Sequence, residues 1–185
     1  MTGAAQLVMG QSVSRSFLAL QNIGSHAMNV EFGSARATCA ISGGKVTSGG
    51  FTITNAGFNF TSPPVIRFLG GGGGPGNQGA PYLGLNQPNG MAPSRPARAH
   101  ATLSGGAVSA IVLDDPGAGY LIAPFVFLFD NDLDPYGCAV PSSTSGLSLP
   151  AGMTAPIAWE GTTCPTDPIA VIGTTSDILV VRWMD

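Results

Sequence analysis

Charged residues are scarce in this chain. Asp, Glu, Lys and Arg make up 9% of its 185 residues, against about 25% in ordinary soluble domains. Lysine occurs once, at Lys45, and no stripe of Lys and Arg provides the clustered positive charge that phosphate binding requires. We therefore expect no nucleic-acid partner. So little charge also does little to keep copies apart, which predicts that protein partners cover much of the surface.

Long apolar runs are also missing. The longest, Leu121–Phe129, is interrupted by Pro124 and is far shorter than the roughly 20 residues that a spanning helix needs. The first residues contain no positive charge ahead of an apolar stretch, so we expect neither a signal peptide nor a membrane location.

Cysteine is limited to Cys39, Cys138 and Cys164, whose spacing is not that of a metal site. The odd number and the missing export signal predict small buried thiols rather than a disulfide framework. A contact between Cys39 and Cys164 stays open at this point. Catalytic motifs are missing too: neither His26 nor His100 has a sequence partner that marks it as a general base, and GxSxG and P-loop patterns do not occur. We expect no enzyme and no cofactor.

What the sequence does contain is short strands. Almost no stretch keeps the helical apolar period free of Gly or Pro, whereas segments such as FTIT, PVIRFL and APFVFLF are rich in β-branched and aromatic residues and end in turn residues. The prediction is an all-β fold with a β-sandwich or jelly-roll-like domain. Residues 14–42 are expected to form a strand pair joined by the turn NIGSHA, with Leu18 and Leu20 on one face.

One phrase occurs twice. NAGFNFTSPPVIRF and DPGAGYLIAPFVFL share a glycine, an aromatic three residues later and a proline four residues after that, at a constant offset of 60. The glycines suit a turn that needs positive φ, the aromatics suit plugs over a core, and the prolines suit the first position of a strand. Since one such hairpin cannot bury its apolar face alone, the two copies are expected to build a two-fold module. The residues of the repeat are Gly57, Phe60, Pro64, Gly117, Tyr120 and Pro124.

This phrase, preceded in each copy by GGxV, resembles a repeat in virion structural proteins of tailed bacteriophages. The flanks resemble small virion proteins of the same phages, and the resemblance covers most of the chain outside 70–96. It is carried by Arg15, Leu18, Gln21 and Asn22, by Val30, Phe32 and Gly33, by Leu149 to Gly152, by Trp159, by Cys164 and Pro165, and by Ala170 to Gly173. The resemblance implies a β-sandwich in a viral particle, formed by 1–42 plus 141–185, with 43–140 as an inserted repeat module.

The resemblance leads to an expected role. We expect a capsid decoration or cement protein that is assembled in the host cytoplasm, works as a homo-oligomer and binds the major capsid protein or other virion proteins. The Gly/Pro-rich loop 70–96 and the first 14 residues would be arms on neighbours. The expected contact side chains in that loop are Tyr82, Leu83, Leu85 and Met91. A neck, tail or fibre component and a host-glycan binding module are the alternatives.

Three further segments have a chemical interpretation. Asp130, Asp132 and Asp134 alternate as in the start of a calcium loop, but proline and not glycine stands at its sixth position, so a solvated acidic turn is the stronger interpretation. SRPARAH is a weak candidate for an anion site. The aromatic residues that a sugar-binding face would draw on are Trp159, Trp183, Tyr82, Tyr120 and Tyr136, although core or interface roles are commoner.

Overall fold

The computed structural model describes residues 5–10, 14–72, 95–129, 137–142, 146–165, 167–174 and 177–184. Within these residues every regular element is a strand apart from one 3-10 turn at Gly161–Thr163, which confirms the all-β prediction. The strands are β1 (Gln6–Met9), β2 (Phe17–Asn22), β3 (Met28–Phe32), β4 (Arg36–Ser42), β5 (Lys45–Asn55), β6 (Val65–Leu69), β7 (Arg98–Ser104), β8 (Ala107–Asp115), β9 (Phe125–Phe129), β10 (Leu147–Leu149), β11 (Ile157–Glu160), β12 (Ile169–Ile172) and β13 (Leu179–Met184).

The chain divides into two compact units. The first unit comprises Met1–Ser34 and Asp134–Asp185, and the second comprises Ala35–Leu133. Both boundaries lie earlier in the chain than the 42/43 and 140/141 boundaries expected from sequence. The first difference has a simple cause: β4 pairs with β5 as the first hairpin of the repeat, so it belongs with the repeat and not with the strands before it.

The first unit contains two antiparallel sheets around one core. One sheet has the order β1-β12-β3-β10 and the other β11-β2-β13. Alternate side chains of both sheets meet in a single apolar cluster, as in a sandwich of two sheets. Its buried members are Leu18, Leu20, Met28, Val30, Leu149, Cys164, Ile169 and Val171.

The expected pairing of the two strands within residues 14–42 is wrong. β2 pairs with β11 and β13, whereas β3 pairs with β10 and β12 in the other sheet. Both strands contribute fully buried residues to the same core, Leu18 and Leu20 from β2 and Met28 and Val30 from β3. The connection between them therefore crosses from sheet to sheet instead of closing a hairpin.

The second unit consists of the two repeat copies, which exchange strands. Each copy contributes a hairpin and one further strand: β4, β5 and β6 in the first copy, and β7, β8 and β9 in the second. β4 of the first copy pairs with β9 of the second, which also pairs with β6. β6 lies beside β7 and β5 beside β8, so the six strands follow one another around a ring.

Candidate functional site

The repeat glycines occupy equivalent turns with the same backbone conformation. Gly57 and Gly117 both have φ of 66°, a value that side chains other than glycine rarely adopt. The N–H of Gly57 donates to Asn55 Oδ1 at 3.0 Å, and the N–H of Gly117 donates to Asp115 Oδ1 at 2.8 Å. Each copy thus uses a side-chain oxygen two residues earlier to fix its turn, the geometry that Asn and Asp favour.

The repeat aromatics are buried plugs, and each one is held by the other copy. Phe60 N–H donates to the Gly106 carbonyl at 3.0 Å, and Tyr120 N–H donates to the Gly44 carbonyl at 3.1 Å. Gly44 and Gly106 lie in the two hairpin turns, so each plug closes on the hairpin of its counterpart. The hydroxyl of Tyr120 accepts the buried N–H of Ala97 at 2.8 Å. This reciprocal arrangement makes the two copies depend on one another.

The repeat prolines are buried and stand directly before a strand. Pro64 precedes β6 and Pro124 precedes β9. Since a proline has no N–H to offer, it fits the first position beside a strand better than its interior. The two strands that these prolines introduce then pair with one another and form the surface described next.

The repeat extends beyond the two segments NAGFNFTSPPVIRF and DPGAGYLIAPFVFL that first reveal it in the sequence. ARATCAISGGKV and ARAHATLSGGAV match at an offset of 62, from Ala35 and Ala97, whereas the glycines of the phrase match at 60, from Gly57 and Gly117. The first copy therefore has two extra residues in β5, where the pairing of β4 with β5 shifts its register. The shared ARA and SGG were the signal that could have revealed this.

Outward side chains of β6 and β9 form an exposed apolar surface, which we call the aromatic face. The antiparallel register sets Val65 opposite Phe129, Arg67 opposite Phe127 and Leu69 opposite Phe125. In β9 the intervening residues Val126 and Leu128 point into the core, so the three phenylalanines share the other side. The aromatic face thus comprises Val65, Arg67, Leu69, Phe125, Phe127 and Phe129.

The three phenylalanines of this face form a ladder along β9. Phe125 is 70% exposed, Phe127 41% and Phe129 44%. Phe127 and Phe129 are stacked with ring centroids 5.9 Å apart, and Phe125 lies 6.4 Å from Phe127. The Arg67 guanidinium carbon is 5.8 Å from the centroid of Phe129, a cation–π contact. Large aromatic side chains side by side at the surface are typical of interaction sites.

Ser25, His26 and Asp177 meet in the first unit, but their geometry is not that of a catalytic triad. His26 Nδ1 lies 3.1 Å from Ser25 Oγ and 3.2 Å from Asp177 Oδ1. In a triad the serine and the aspartate contact different ring nitrogens, which lets the ring transfer a proton between them. Here both contacts fall on Nδ1.

Asp177 instead clamps the turn that connects β2 to β3. Its Oδ1 accepts the backbone N–H of Ser25 at 3.0 Å and that of His26 at 3.2 Å. Burial by itself acts to raise the pKa of the Asp177 carboxyl, but the hydrogen bonds from His26 and Ser25 outweigh burial, so the pKa lies below its ordinary value. The sequence contains no local signal for this contact, because Asp177 is 151 residues from His26.

Two of the three basic side chains of SRPARAH face carboxylates. Arg95 forms an ion pair with Asp115 at 3.0 Å, and His100 Nδ1 lies 2.8 Å from Asp114 Oδ1. Asp115 thus serves both the turn at Gly117 and this ion pair. A segment in which two of three basic side chains face carboxylates is a weak anion site, since an incoming anion meets negative charge beside Arg95 and His100.

The described aromatics among those proposed for a sugar-binding face do not form an exposed pair. Tyr120 is the buried plug of the second unit, and Trp159 packs edge-on against Phe32 of the first unit with centroids 5.6 Å apart. Trp183 is 54% exposed at the end of β13. The other candidates of the sequence lie outside the described residues: Tyr136, the acidic Asp130, Asp132 and Asp134, and the loop side chains Tyr82, Leu83, Leu85 and Met91.

Thiol and metal chemistry find little support in the part of the chain that the structure describes. Cys39, Cys138 and Cys164 are free thiols, and Cys39 and Cys164 belong to different units. Burial raises the pKa of the Cys39 thiol to about 11, which leaves almost none of the reactive thiolate at neutral pH. No three His, Cys, Asp or Glu side chains of the described residues are grouped as metal ligands would be.

In comparisons with known proteins, no family model, no curated protein and no solved structure matches the chain. In the described residues no helix is long and apolar enough to cross a membrane. The aromatic face is thus the feature on which a functional interpretation depends.

Proposed function

We propose that this chain is a structural protein of a tailed-phage virion, and specifically a decoration or cement protein that binds the coat shell. The observation that carries the binding role is the aromatic face, whose three phenylalanines are all at least 41% exposed. An apolar patch of a few hundred Å² is often a functional contact site in a soluble protein. The choice of a phage virion depends on the sequence resemblance, and the low charge of 9% is in keeping with a protein that works in an assembly.

The aromatic face supplies a plausible amount of binding energy. A phenylalanine buries about 200 Å² when fully covered, so exposures of 70%, 41% and 44% leave about 300 Å² for the three rings together. At about 25 cal/mol per Å², covering them contributes about 8 kcal/mol before the costs of association. A cement protein repeats this contact many times over a shell, so a modest contact per copy stabilises the whole particle.

Removal of one ring from the aromatic face tests this role. Phe127→Ser should reduce incorporation of the chain into particles and lower the temperature at which the particles release their contents. Val112→Ser is the matched control, because Val112 is 43% exposed on β8 and lies outside the face. Equal incorporation of the two variants, with thermal unfolding of each isolated variant unchanged, would exclude the aromatic face as the shell contact.

The proposed role involves binding without catalysis. The two histidines are engaged with Asp177 and Asp114, and neither arrangement presents a serine on the ring nitrogen opposite its carboxylate. Both contacts are those of structural hydrogen bonds. A search for hydrolase activity on ester and glycoside substrates is the corresponding check, with no turnover expected.

Glycan binding is a second candidate, because one observation favours it: the phenylalanines form an exposed aromatic row on one sheet face. Stacking of Phe127 on Phe129 at 5.9 Å covers part of the ring faces that a sugar would need. The neighbours Val65 and Leu69 also offer no hydrogen bond to a hydroxyl group. Binding to host-cell polysaccharide that is lost in Phe127→Ser, together with normal particle stability, would favour this candidate over cement.

A further inference from the structure

The sheet that carries the aromatic face has positive charge and no negative charge. Its four strands, in the order β5-β4-β9-β6, contain Arg36, Lys45 and Arg67 but no Asp or Glu. The whole chain, by contrast, has a net charge of −3. Within these four strands, unlike in the chain as a whole, the formal charges are all positive.

Arg67 is the cation at the middle of the aromatic face. It lies opposite Phe127 in the strand register, and its guanidinium packs on the ring of Phe129. Arg67 takes no part in the ion pairs that join His26 to Asp177, Arg95 to Asp115 and His100 to Asp114. A guanidinium that stacks on an aromatic ring keeps its N–H edge for a carboxylate, which it binds through two parallel hydrogen bonds.

The composition of the aromatic face argues against a second copy as the occupant. The 60-residue offset relates Val65 to Phe125, Arg67 to Phe127 and Leu69 to Phe129, and the strand register is symmetric about the Arg67–Phe127 pair. The local two-fold axis therefore passes between Arg67 and Phe127, and it relates the cation of the face to a phenylalanine. A second copy that docked through the same face would offer Arg67 no carboxylate, because none of the six residues of the face is acidic.

We propose that the aromatic face docks on an apolar surface of a shell protein that presents a carboxylate to Arg67. The inference rests on the proposed function, since it takes the partner to be the coat, and it adds the chemistry by which the partner is recognised. The phenylalanines contribute buried apolar area, and the Arg67–carboxylate pair fixes the register and selects the partner.

Charge variants at Arg67 test this inference on particles from which the chain has been removed. Rebinding of the purified wild-type chain is measured first, since its failure would count against the proposed function itself. If the wild-type chain rebinds, Arg67→Gln should bind the particles about tenfold more weakly than wild type, and Arg67→Glu should bind still more weakly. Added salt should reduce these differences in affinity. Arg67→Lys, which keeps the charge and loses the paired hydrogen bonds, should fall between wild type and Arg67→Gln.

Arg182→Glu is the matched control for the charge reversal, because Arg182 is an exposed strand arginine in the first unit. It should bind within about twofold of wild type, since long-range attraction alone is screened at physiological salt. If Arg67→Glu rebinds as well as wild type, or if both reversals weaken binding equally, the carboxylate at Arg67 is refuted while the cement role survives.

A second measurement needs no particles. In NMR titrations of the purified chain, 3-phenylpropionate should shift the Arg67 side-chain N–H and the Phe127 ring signals at several-fold lower concentration than 3-phenylpropanol. Arg67→Gln should abolish that preference and leave the response to the alcohol. Equal responses to acid and alcohol in the wild-type chain would overturn the inference. Binding to anionic lipid vesicles that Arg67→Glu abolishes, without rebinding to particles, would also overturn it by assigning the face to a membrane.

Discussion

Replacing Gly117 by alanine should disrupt the second repeat far more than the same change at Gly105. Both glycines have positive φ, +66° and +58°, so both substitutions carry a backbone cost of about 1 kcal/mol. The space around them differs. A Cβ at 117 would lie 2.6 Å from the Arg95 carbonyl oxygen and 2.7 Å from the Ala97 nitrogen, whereas a Cβ at 105 meets nothing within 4 Å.

The atoms that a methyl group at 117 would meet cannot easily move away. Arg95 and Ala118 exchange two backbone hydrogen bonds, at 3.1 and 2.9 Å, and Ala97 N–H is bound to the hydroxyl of Tyr120. Overpacking against such fixed groups costs about 2 kcal/mol. We therefore expect Gly117→Ala to lower the free energy of unfolding by about 3 kcal/mol and Gly105→Ala by about 1 kcal/mol, a large difference for a fold of ordinary stability.

Urea unfolding measures this difference if the probe reports on the second unit. Both tryptophans, Trp159 and Trp183, lie in the first unit, so their fluorescence is unsuitable. Hydrogen exchange of peptides from 35–72 and 95–129, at increasing urea, is the direct assay. With a urea dependence of about 2 kcal/mol per M, the expected midpoint shifts are about 1.5 M for Gly117→Ala and about 0.5 M for Gly105→Ala. Equal shifts would refute the argument that the contacts around Gly117 are rigid.

Three further predictions follow from individual contacts. Tyr120→Phe leaves the buried Ala97 N–H without its acceptor and should cost about 1–3 kcal/mol in urea unfolding, and an unchanged midpoint would contradict the bond. Cys39, with its thiol pKa raised to about 11, should react with iodoacetamide at pH 8 at least a hundredfold more slowly in the native chain than in urea, as followed by mass spectrometry. Folding lowers the pKa of Asp177, so this carboxylate stabilises the fold fully above its unfolded-state pKa and loses that effect as the pH falls through its folded-state pKa. Asp177→Asn should therefore flatten the decline of melting temperature below about pH 4. A parallel decline of melting temperature in both proteins would disprove this.

Sequence patterns predicted the strands of this protein better than their partners. The Pro-started segments PVIRFL and APFVFLF became β6 and β9, because a proline followed by β-branched and aromatic residues is a local signal. The prediction of a strand pair within residues 14–42 was wrong. An alternating pattern indicates which side chains are buried, such as Leu18 and Val30, but it does not indicate that they face one core from two different sheets. Sheet assignment depends on contacts such as β2 with β13, which lie far apart in sequence.

The aromatic face could not be predicted from the local sequence either, because that sequence does not determine which side of β9 faces the core. FVFLF is apolar throughout and is typical of a strand buried on both sides. Pairing with β6 and β4 turns Val126 and Leu128 inward and leaves Phe125, Phe127 and Phe129 outside. No local pattern separates these two orientations. Comparison of the repeat copies gave the nearest signal, because the positions of the three phenylalanines are Val65, Arg67 and Leu69 in the first copy.

The copy number of the chain in purified particles tests the central claim most directly. Quantitative mass spectrometry against the major coat protein should give a ratio near one, or a simple fraction such as one third, because cement proteins occupy equivalent positions over the whole shell. A ratio of a few per cent would contradict the cement role and assign the chain to the neck, tail or fibres. Absence from particles would contradict the virion proposal altogether.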